Sequence, residues 1–255
     1  MNHLKQRKRE KRHQAFIDGA IEWVENKFNP QYLFVQTDWH YDDIRPFTWN
    51  DFDILPQYTY VIELEPGEAD VMGQFSQNPR RNIRNHDETE YSVEEGGKEA
   101  VEWTIHRVNE RYAEQGLTPR FDPGFVVELY DRLDEGMVRP YTLSVDGEVV
   151  AGSILLEDEE RAYSWQGSAR PEIDIPANDL LEWQTMKAAM HRDVELYEIL
   201  GANTPRLNEW KTKFNPDTRT YYTAKRSTRS MNLVEELYVG LRDRSRLVKE
   251  LSPGQ

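Results

Sequence analysis

The stretch LLEWQTMKAAMHRDVELYEILGANTPRLNEWKTKF, residues 180–214, decides the fold. Its first part spaces apolar side chains along one broad face, which predicts a helix. An apolar strand follows over residues 195–202, where Gly201 allows a turn or a close approach of the backbone. A second helix ends near Phe214, which we expect to pack beneath the sheet, and another strand covers 218–226. Such a helix–strand–helix–strand unit belongs to a mixed α/β sheet, which binds ligands beyond its strand ends.

Length and composition bound the class of protein. The 255 residues suffice for one large domain, or for a complete domain beside a partial one. No stretch approaches the ~20 apolar residues of a membrane span, and the start lacks the apolar core of a secretory signal, which predicts a cytoplasmic protein. Cysteine is absent, which excludes disulfides and a cysteine nucleophile. The six histidines show no metal-ligand spacing, so no metal site is expected.

The net charge of −14 is unevenly distributed. Residues 1–12 hold six basic side chains and one acidic side chain, and the whole chain has only ten lysines among its 32 basic residues. An acidic, lysine-poor surface indicates a halophilic protein, with an ordinary acidic enzyme as the alternative. Such a surface repels nucleic acid at low salt, so DNA is not expected as a partner. The basic start could contact tRNA phosphates or anionic lipid, or have no role.

The chain divides into three predicted parts. Residues 1–56 contain a helix, a strand and an aromatic connector, 57–228 form a complete domain, and 229–255 form a C-terminal helix and tail. The predicted strands are at 32–37, 58–64, 90–95, 139–145, 148–157 and 160–167. The predicted helices are at 13–28, 98–115, 123–135 and 232–251, and one further polar helix follows the strand at 58–64 and ends at about residue 87. Asp146-Gly147 indicates a tight hairpin between the strands at 139–145 and 148–157.

Four segments carry a family resemblance when they are taken in order. Residues 42–64 resemble the linker between the two domains of FemAB/FemX-type peptidyltransferases, and 78–84 (NPRRNIR) resemble the arginine-rich helix that follows it. Residues 149–154 (VVAGSI) and 180–214 resemble the central strand and the C-terminal signature of that family. The chain is thus similar to a FemAB/FemX-like member of the GNAT superfamily. With the halophilic composition, this suggests a haloarchaeal member with a truncated first domain.

This resemblance implies an α/β fold, the GNAT acyl-CoA N-acyltransferase fold with a mixed sheet, preceded by a remnant of a first GNAT-like domain. It also implies transfer of an acyl or aminoacyl group to a small-molecule or carrier-linked amine. The donor, acyl-CoA or aminoacyl-tRNA, would not be tightly held. The Q/R-x-x-G-x-G/A pyrophosphate loop of ordinary GNAT enzymes is missing, and residues 166–168 approach it poorly.

Other functions remain open on the sequence. The chain could be a non-catalytic scaffold or partner subunit with a GNAT fold, or an acyl-CoA-dependent N-acetyltransferase of a sugar or an amine. A homodimer is one possible assembly. A partner protein that supplies the missing N-terminal domain is another.

Lys211 is the predicted catalytic residue, because the resembling family places a functional lysine there. Its ammonium would stabilise the tetrahedral intermediate of acyl transfer. The alternative is a solvated lysine that interacts favourably with the C-terminal end of its helix dipole. Lys213 is a neighbouring candidate for substrate binding.

The remaining candidates each have a structural alternative. Arg80 and Arg84 share a helical face and could bind phosphate, or simply offset acidic neighbours. Asn178 is a predicted substrate-binding residue, and the carboxylate of Asp179 could accept a proton from the amine; the structural alternative for both, which we favour, is a helix cap. The other predicted substrate-binding residues could instead be core, strand-end or turn residues; they are Tyr112, Trp165, Trp183, Gly201 and Asn203.

Overall fold

A computed structural model describes residues 5–86, 89–119, 121–231 and 234. The elements in chain order are α1 (Gln6–Phe28), β1 (Tyr32–Gln36), α2 (Arg45–Trp49), β2 (Asp53–Glu63), α3 (Glu68–Gln74), α4 (Gln77–Asn85), β3 (Ser92–Glu95), α5 (Lys98–Glu114), α6 (Pro123–Arg132), β4 (Val138–Val145), β5 (Glu148–Glu157), β6 (Arg161–Ala169), α7 (Ala177–Met190), β7 (Leu196–Ile199), α8 (Pro205–Lys211), a 3-10 turn (Thr212–Phe214) and β8 (Asp217–Ser227). The predicted helix at 232–251 lies outside the described residues.

The chain forms two compact units, Met1–Gln57 with Thr220–Gln255, and Tyr58–Arg219. In the first unit β1 pairs antiparallel with β8, and α1 contributes Ile17 and Ile21 to a small core with Phe47, Phe52 and Ala224. The division into domains at 57 and 229 stays a prediction.

The second unit contains the sheet on which the site is built. Its strand order is β2-β7-β6-β5-β4-β3, and the neighbours are antiparallel except for the parallel pair β6 and β7. The helix α7 makes the crossover that a parallel pair requires. The pairing of β6 with β7 ends at Ser164 and Ile199, whereas β6 continues to Ala169. The two strands therefore separate at their carboxyl ends.

The apolar face of α7 packs into the main core, as its spacing predicts. Leu180 and Met186 are fully buried, together with Tyr197 of β7 and Leu155 of β5. Phe214 is 1% exposed and packs edge-on against Phe75, which confirms its expected place beneath the sheet. This core fixes the position of α7 against β6 and β7.

Two local predictions have different outcomes. The hairpin at Asp146-Gly147 is confirmed, since both residues have the positive φ, 52° and 80°, that such a turn requires. The single polar helix predicted up to about residue 87 is wrong, because the chain breaks it into α3 and α4. At the break Phe75 turns into the core, and the backbone N–H of Ser76 donates to the carbonyl oxygen of Lys213 at 2.7 Å.

Candidate functional site

The ammonium of Lys211 lies at the carboxyl end of β7. Its Nζ donates to the carbonyl oxygens of Leu200 and Gly201 at 2.5 and 2.6 Å. Gly201 can present its carbonyl there because it adopts a φ of +83°, which L side chains rarely adopt. These bonds occupy two of the three ammonium donors, so one donor remains for a ligand. The side chain is half-buried, and burial lowers the pKa of Lys211 while the negative charge of Glu182 opposes this effect.

A buried polar cluster lies where β6 and β7 begin to separate. Ser164 Oγ of β6 lies 3.4 Å from Glu182 Oε2 of α7, and the Tyr197 hydroxyl of β7 lies 2.8 Å from Thr185 Oγ1. Burial raises the pKa of Glu182 to about 7, although the two hydroxyls and the charge of Lys211 act in the opposite direction. An acidic group that titrates near neutral pH is a frequent mark of a functional site.

A cavity of about 580 Å³ lies at the carboxyl end of β6. It is enclosed by α5, the segment after β6, the start of α7, and Trp210 and Lys213 beside Lys211. Its ionised lining comprises Arg107, Arg111, Arg170, Lys213, Glu114 and Asp179. Four cations against two anions favour a negatively charged ligand.

Arg107 gives the cavity a partly unsatisfied cation. Its terminal nitrogens donate to Glu110 at 2.7 Å and to Glu114 at 3.0 Å. Its Nε is buried and has no hydrogen-bond partner in the described part of the chain. A ligand oxygen that reaches this N–H would remove the cost of leaving it unpaired.

Asp179 links three helices at the cavity wall. Its Oδ1 accepts from Trp210 Nε1 of α8 at 3.0 Å, and its Oδ2 accepts from Asn82 Nδ2 of α4 at 2.8 Å. The expected capping role of Asn178 and Asp179 is wrong, because α7 begins at Ala177 with no side-chain cap, and both carboxylate oxygens of Asp179 are used elsewhere.

The structure brings some of the predicted site residues together. Lys211 and Gly201 meet at the end of β7, and Asn178 and Lys213 line the adjacent cavity. Asn203 lies beyond the same strand, where its side chain bonds the backbone N–H and carbonyl of Tyr58 at 3.0 and 3.2 Å. These two hydrogen bonds hold the loop between β7 and α8 against Tyr58.

The other predicted residues lie apart from the cavity lining. Arg80 and Arg84 are on α4, Tyr112 is half-buried on α5, and the Trp165 ring packs edge-on against Phe121 with centroids 5.1 Å apart. Trp183 is 3% exposed and packs against Phe75, which gives it a position in the core. Its spacing in the apolar face of α7 already indicated that position.

Sequence reasoning missed four residues of the site. Arg107 and Arg111 are four residues apart on one helical face, a signal that the sequence did contain. Arg170 and Glu182 give no such signal in the sequence. They come to the candidate site only because β6 and β7 separate there in the folded chain. In the described ranges no group of three His, Asp or Glu side chains could hold a metal ion. Nor does any helix within those ranges have the length and apolarity to cross a membrane.

The fold and a family match together define an acyltransferase of the GNAT class. Residues 73–212 match the model of the acetyltransferase (GNAT) domain family, and the chain belongs to that family. The predicted GNAT α/β fold is thereby confirmed. No curated protein matches the chain in sequence.

Solved structures show the same fold at low sequence identity. The crystal structure of FemX is similar with a TM-score of 0.66 and 13% identity, over 82% of this chain and 75% of that one. The C-terminal domain of a putative lysylphosphatidylglycerol synthetase from Agrobacterium fabrum gives 0.52 and 13%, over 74% and 66%. A tandem GNAT protein from the clavulanic acid biosynthesis pathway gives 0.50 and 12%, over 80% and 66%. The fold is thus FemX-like.

Proposed function

We propose that this protein transfers an acyl or aminoacyl group from a phosphate-bearing donor to an amine, and that Lys211 stabilises the oxyanion formed on the way. The observation that carries this proposal is the ammonium held by two carbonyl oxygens at the end of β7. Membership of the GNAT family supports acyl transfer as the reaction class. The likeness to FemX is a likeness of fold, and it is the support for an aminoacyl group as the one transferred.

Lys211 suits the oxyanion because it is already oriented. As the amine nitrogen attacks the donor carbonyl carbon, a C–N bond forms and negative charge develops on the carbonyl oxygen. A preorganised donor in a partly dry site stabilises that charge by about 3–4 kcal/mol. The C–S or C–O bond to the leaving group then breaks, and a proton lost by the amine ends on the leaving group or in solvent.

The adjacent cavity supports a donor that carries phosphate. Acyl-CoA and aminoacyl-tRNA both do, and guanidinium groups bind phosphate through paired N–H donors. Arg107, Arg111 and Arg170 would supply these contacts, and Lys213 would add a fourth positive charge. Such a basic lining would serve in place of the glycine-rich pyrophosphate loop that the sequence lacks. It also suits this role better than Arg80 and Arg84, which do not line the cavity.

The proposal is tested by replacing Lys211 with Ala and with Met. The assay offers a panel of amines with acetyl-CoA or with charged tRNA, and it measures released thiol or transferred radiolabel. Because the chain has no cysteine, a thiol reagent reports only released CoA. Lys98→Ala, which removes an exposed lysine paired with Asp131, serves as the matched control.

We expect both Lys211 variants to lose about 10²-fold or more in kcat with an unchanged circular dichroism spectrum. Lys98→Ala should match the wild type. Wild-type turnover by Lys211→Ala would overturn the proposed role. The donor that supports turnover identifies its class.

A second experiment tests the phosphate site. The double variant Arg111→Ala/Arg170→Ala should raise KM for the donor about tenfold or more, since charged hydrogen bonds contribute about 1.5–3 kcal/mol each. Arg132→Ala removes an exposed arginine that pairs with Glu128 on its own helix, so it controls for lost positive charge. If the double variant and Arg132→Ala have the same KM for the donor, the cavity does not bind the donor.

A further inference from the structure

Glu182 is a buried carboxyl group for which the proposed mechanism has no role. It is 6% exposed, and its Oε1 has no hydrogen bond of good geometry among the described residues. Its Oε2 lies 3.4 Å from Ser164 Oγ, and the Tyr197 hydroxyl also acts on the carboxyl group. A buried carboxylate with one unpaired oxygen is costly, so a compensating charge is expected nearby.

Two residues, Ser164 and Leu200, connect Glu182 to such a charge. The Leu200 N–H lies 3.4 Å from the carbonyl oxygen of Ser164, and the carbonyl oxygen of Leu200 accepts from Lys211 Nζ. The carboxyl group and the ammonium are thus connected through Ser164 of β6 and through Leu200, which follows β7. Each group influences the other, since the charge of Lys211 lowers the pKa of Glu182 and that of Glu182 raises the pKa of Lys211.

We infer that Glu182 is a positioning residue whose buried carboxylate balances the ammonium of Lys211 and keeps it in its charged form. The catalytic consequence rests on the role proposed for Lys211, whereas the coupling between the two groups does not. A neutral lysine could not stabilise an oxyanion by charge, so the carboxylate would keep the site competent. Such coupling is reciprocal, because each charge acts on the other through the same interaction.

Among the groups that act on Glu182, Lys211 supplies the positive charge that balances the carboxylate. From β6 and β7 come the hydroxyls of Ser164 and Tyr197, which carry no charge near neutral pH. From its own helix comes Asp179, whose negative charge raises the pKa of Glu182 further. From the segment after β7 comes Lys211. Removal of Glu182 would leave the effect of burial unopposed by this carboxylate, so the pKa of Lys211 would fall further.

The test measures the pKa of Lys211 directly. Lysine carrying ¹³C at its ε-carbon is incorporated, and the ten lysine signals are followed by NMR across the pH range. Lys211→Met identifies the Lys211 signal by its disappearance. We expect Glu182→Gln to lower the pKa of Lys211. Glu209→Gln, which removes an exposed carboxyl group on α8, should leave it unchanged. An unchanged pKa in Glu182→Gln would overturn the inference.

Activity provides the second readout. In Glu182→Gln the basic limb of the kcat profile should move to lower pH, and above it the rate should fall about tenfold for each pH unit. At lower pH the variant should approach the wild-type rate, which a merely misfolded variant would not do. If the NMR shift appears but Lys211→Ala is fully active, the coupling stands and the proposed function fails. A loss of rate that is equal at every pH would refute the positioning role.

Discussion

Replacing Glu182 with Gln should make the stability of the protein less dependent on pH. The pKa of this carboxyl group rises from an ordinary 4.5 to about 7 in the folded chain, mainly because the group is buried. The fold therefore prefers the protonated form. The stabilisation from this preference is complete below about pH 4.5, and it is lost as the pH rises through about 7.

The size of the effect follows from the size of the shift. A rise from 4.5 to about 7 corresponds to about 3 kcal/mol of unfolding free energy between the two ends of this range. Glutamine has nearly the same shape and does not titrate. Relative to the variant, the wild type should therefore lose about 3 kcal/mol between about pH 4.5 and pH 8.

Urea unfolding, followed by the fluorescence of the seven tryptophans, measures this difference at several pH values and at constant ionic strength. Carboxyl groups remote from Glu182 titrate equally in both proteins and cancel in the comparison. Glu209→Gln controls for the loss of one acidic group. A stability difference between the wild type and Glu182→Gln that stays constant across this pH range would refute the reasoning. Equal m-values are needed for the comparison to hold.

Three further predictions concern the turn, the core and the surface. Gly201→Ala should lose about 1–2 kcal/mol of stability in urea unfolding, because its φ of +83° is strained for any L side chain; no loss would mean that the turn relaxes freely. Phe214→Ala should lose about 3–5 kcal/mol in the same assay, since a fully buried ring leaves a cavity; a loss below about 1 kcal/mol would contradict its place in the core. If the acidic surface reflects salt adaptation, the melting temperature should rise steadily between about 0.1 and 2 M KCl, and full stability without added salt would count against it.

The sequence predicted the sheet well because its signals are local. The spacing of Leu180 and Met186 shows which face of α7 is buried, and Asp146-Gly147 has the residues that a tight hairpin needs. The break between α3 and α4 could not be predicted in this way. It depends on the long-range bond from Ser76 to the carbonyl oxygen of Lys213 and on a core position for Phe75.

The candidate site could be predicted only in part. Lys211 was found through a resemblance, and its position at the end of β7 agrees with the rule that ligands bind beyond strand ends. The role proposed for Glu182 depends on how α7 packs on β6, and a single buried glutamate in a helix gives no periodic signal in the sequence. The phosphate-binding role of Arg80 and Arg84 stays a prediction, and three other arginines, Arg107, Arg111 and Arg170, line the cavity.

Asp179 constrains how this protein can change over evolutionary time. The same carboxylate forms part of the cavity wall and fixes the indole next to Lys211, so a mutation there would alter ligand fit and ammonium placement together. Exchange to asparagine would keep an acceptor for Trp210 only if Asn82 turned its side-chain amide, so that the Asn82 oxygen accepts from the new NH2 group. On the proposed mechanism, a change of donor is therefore more accessible through Arg111 and Arg170, whose side chains are exposed and can vary without moving α8, which carries Lys211.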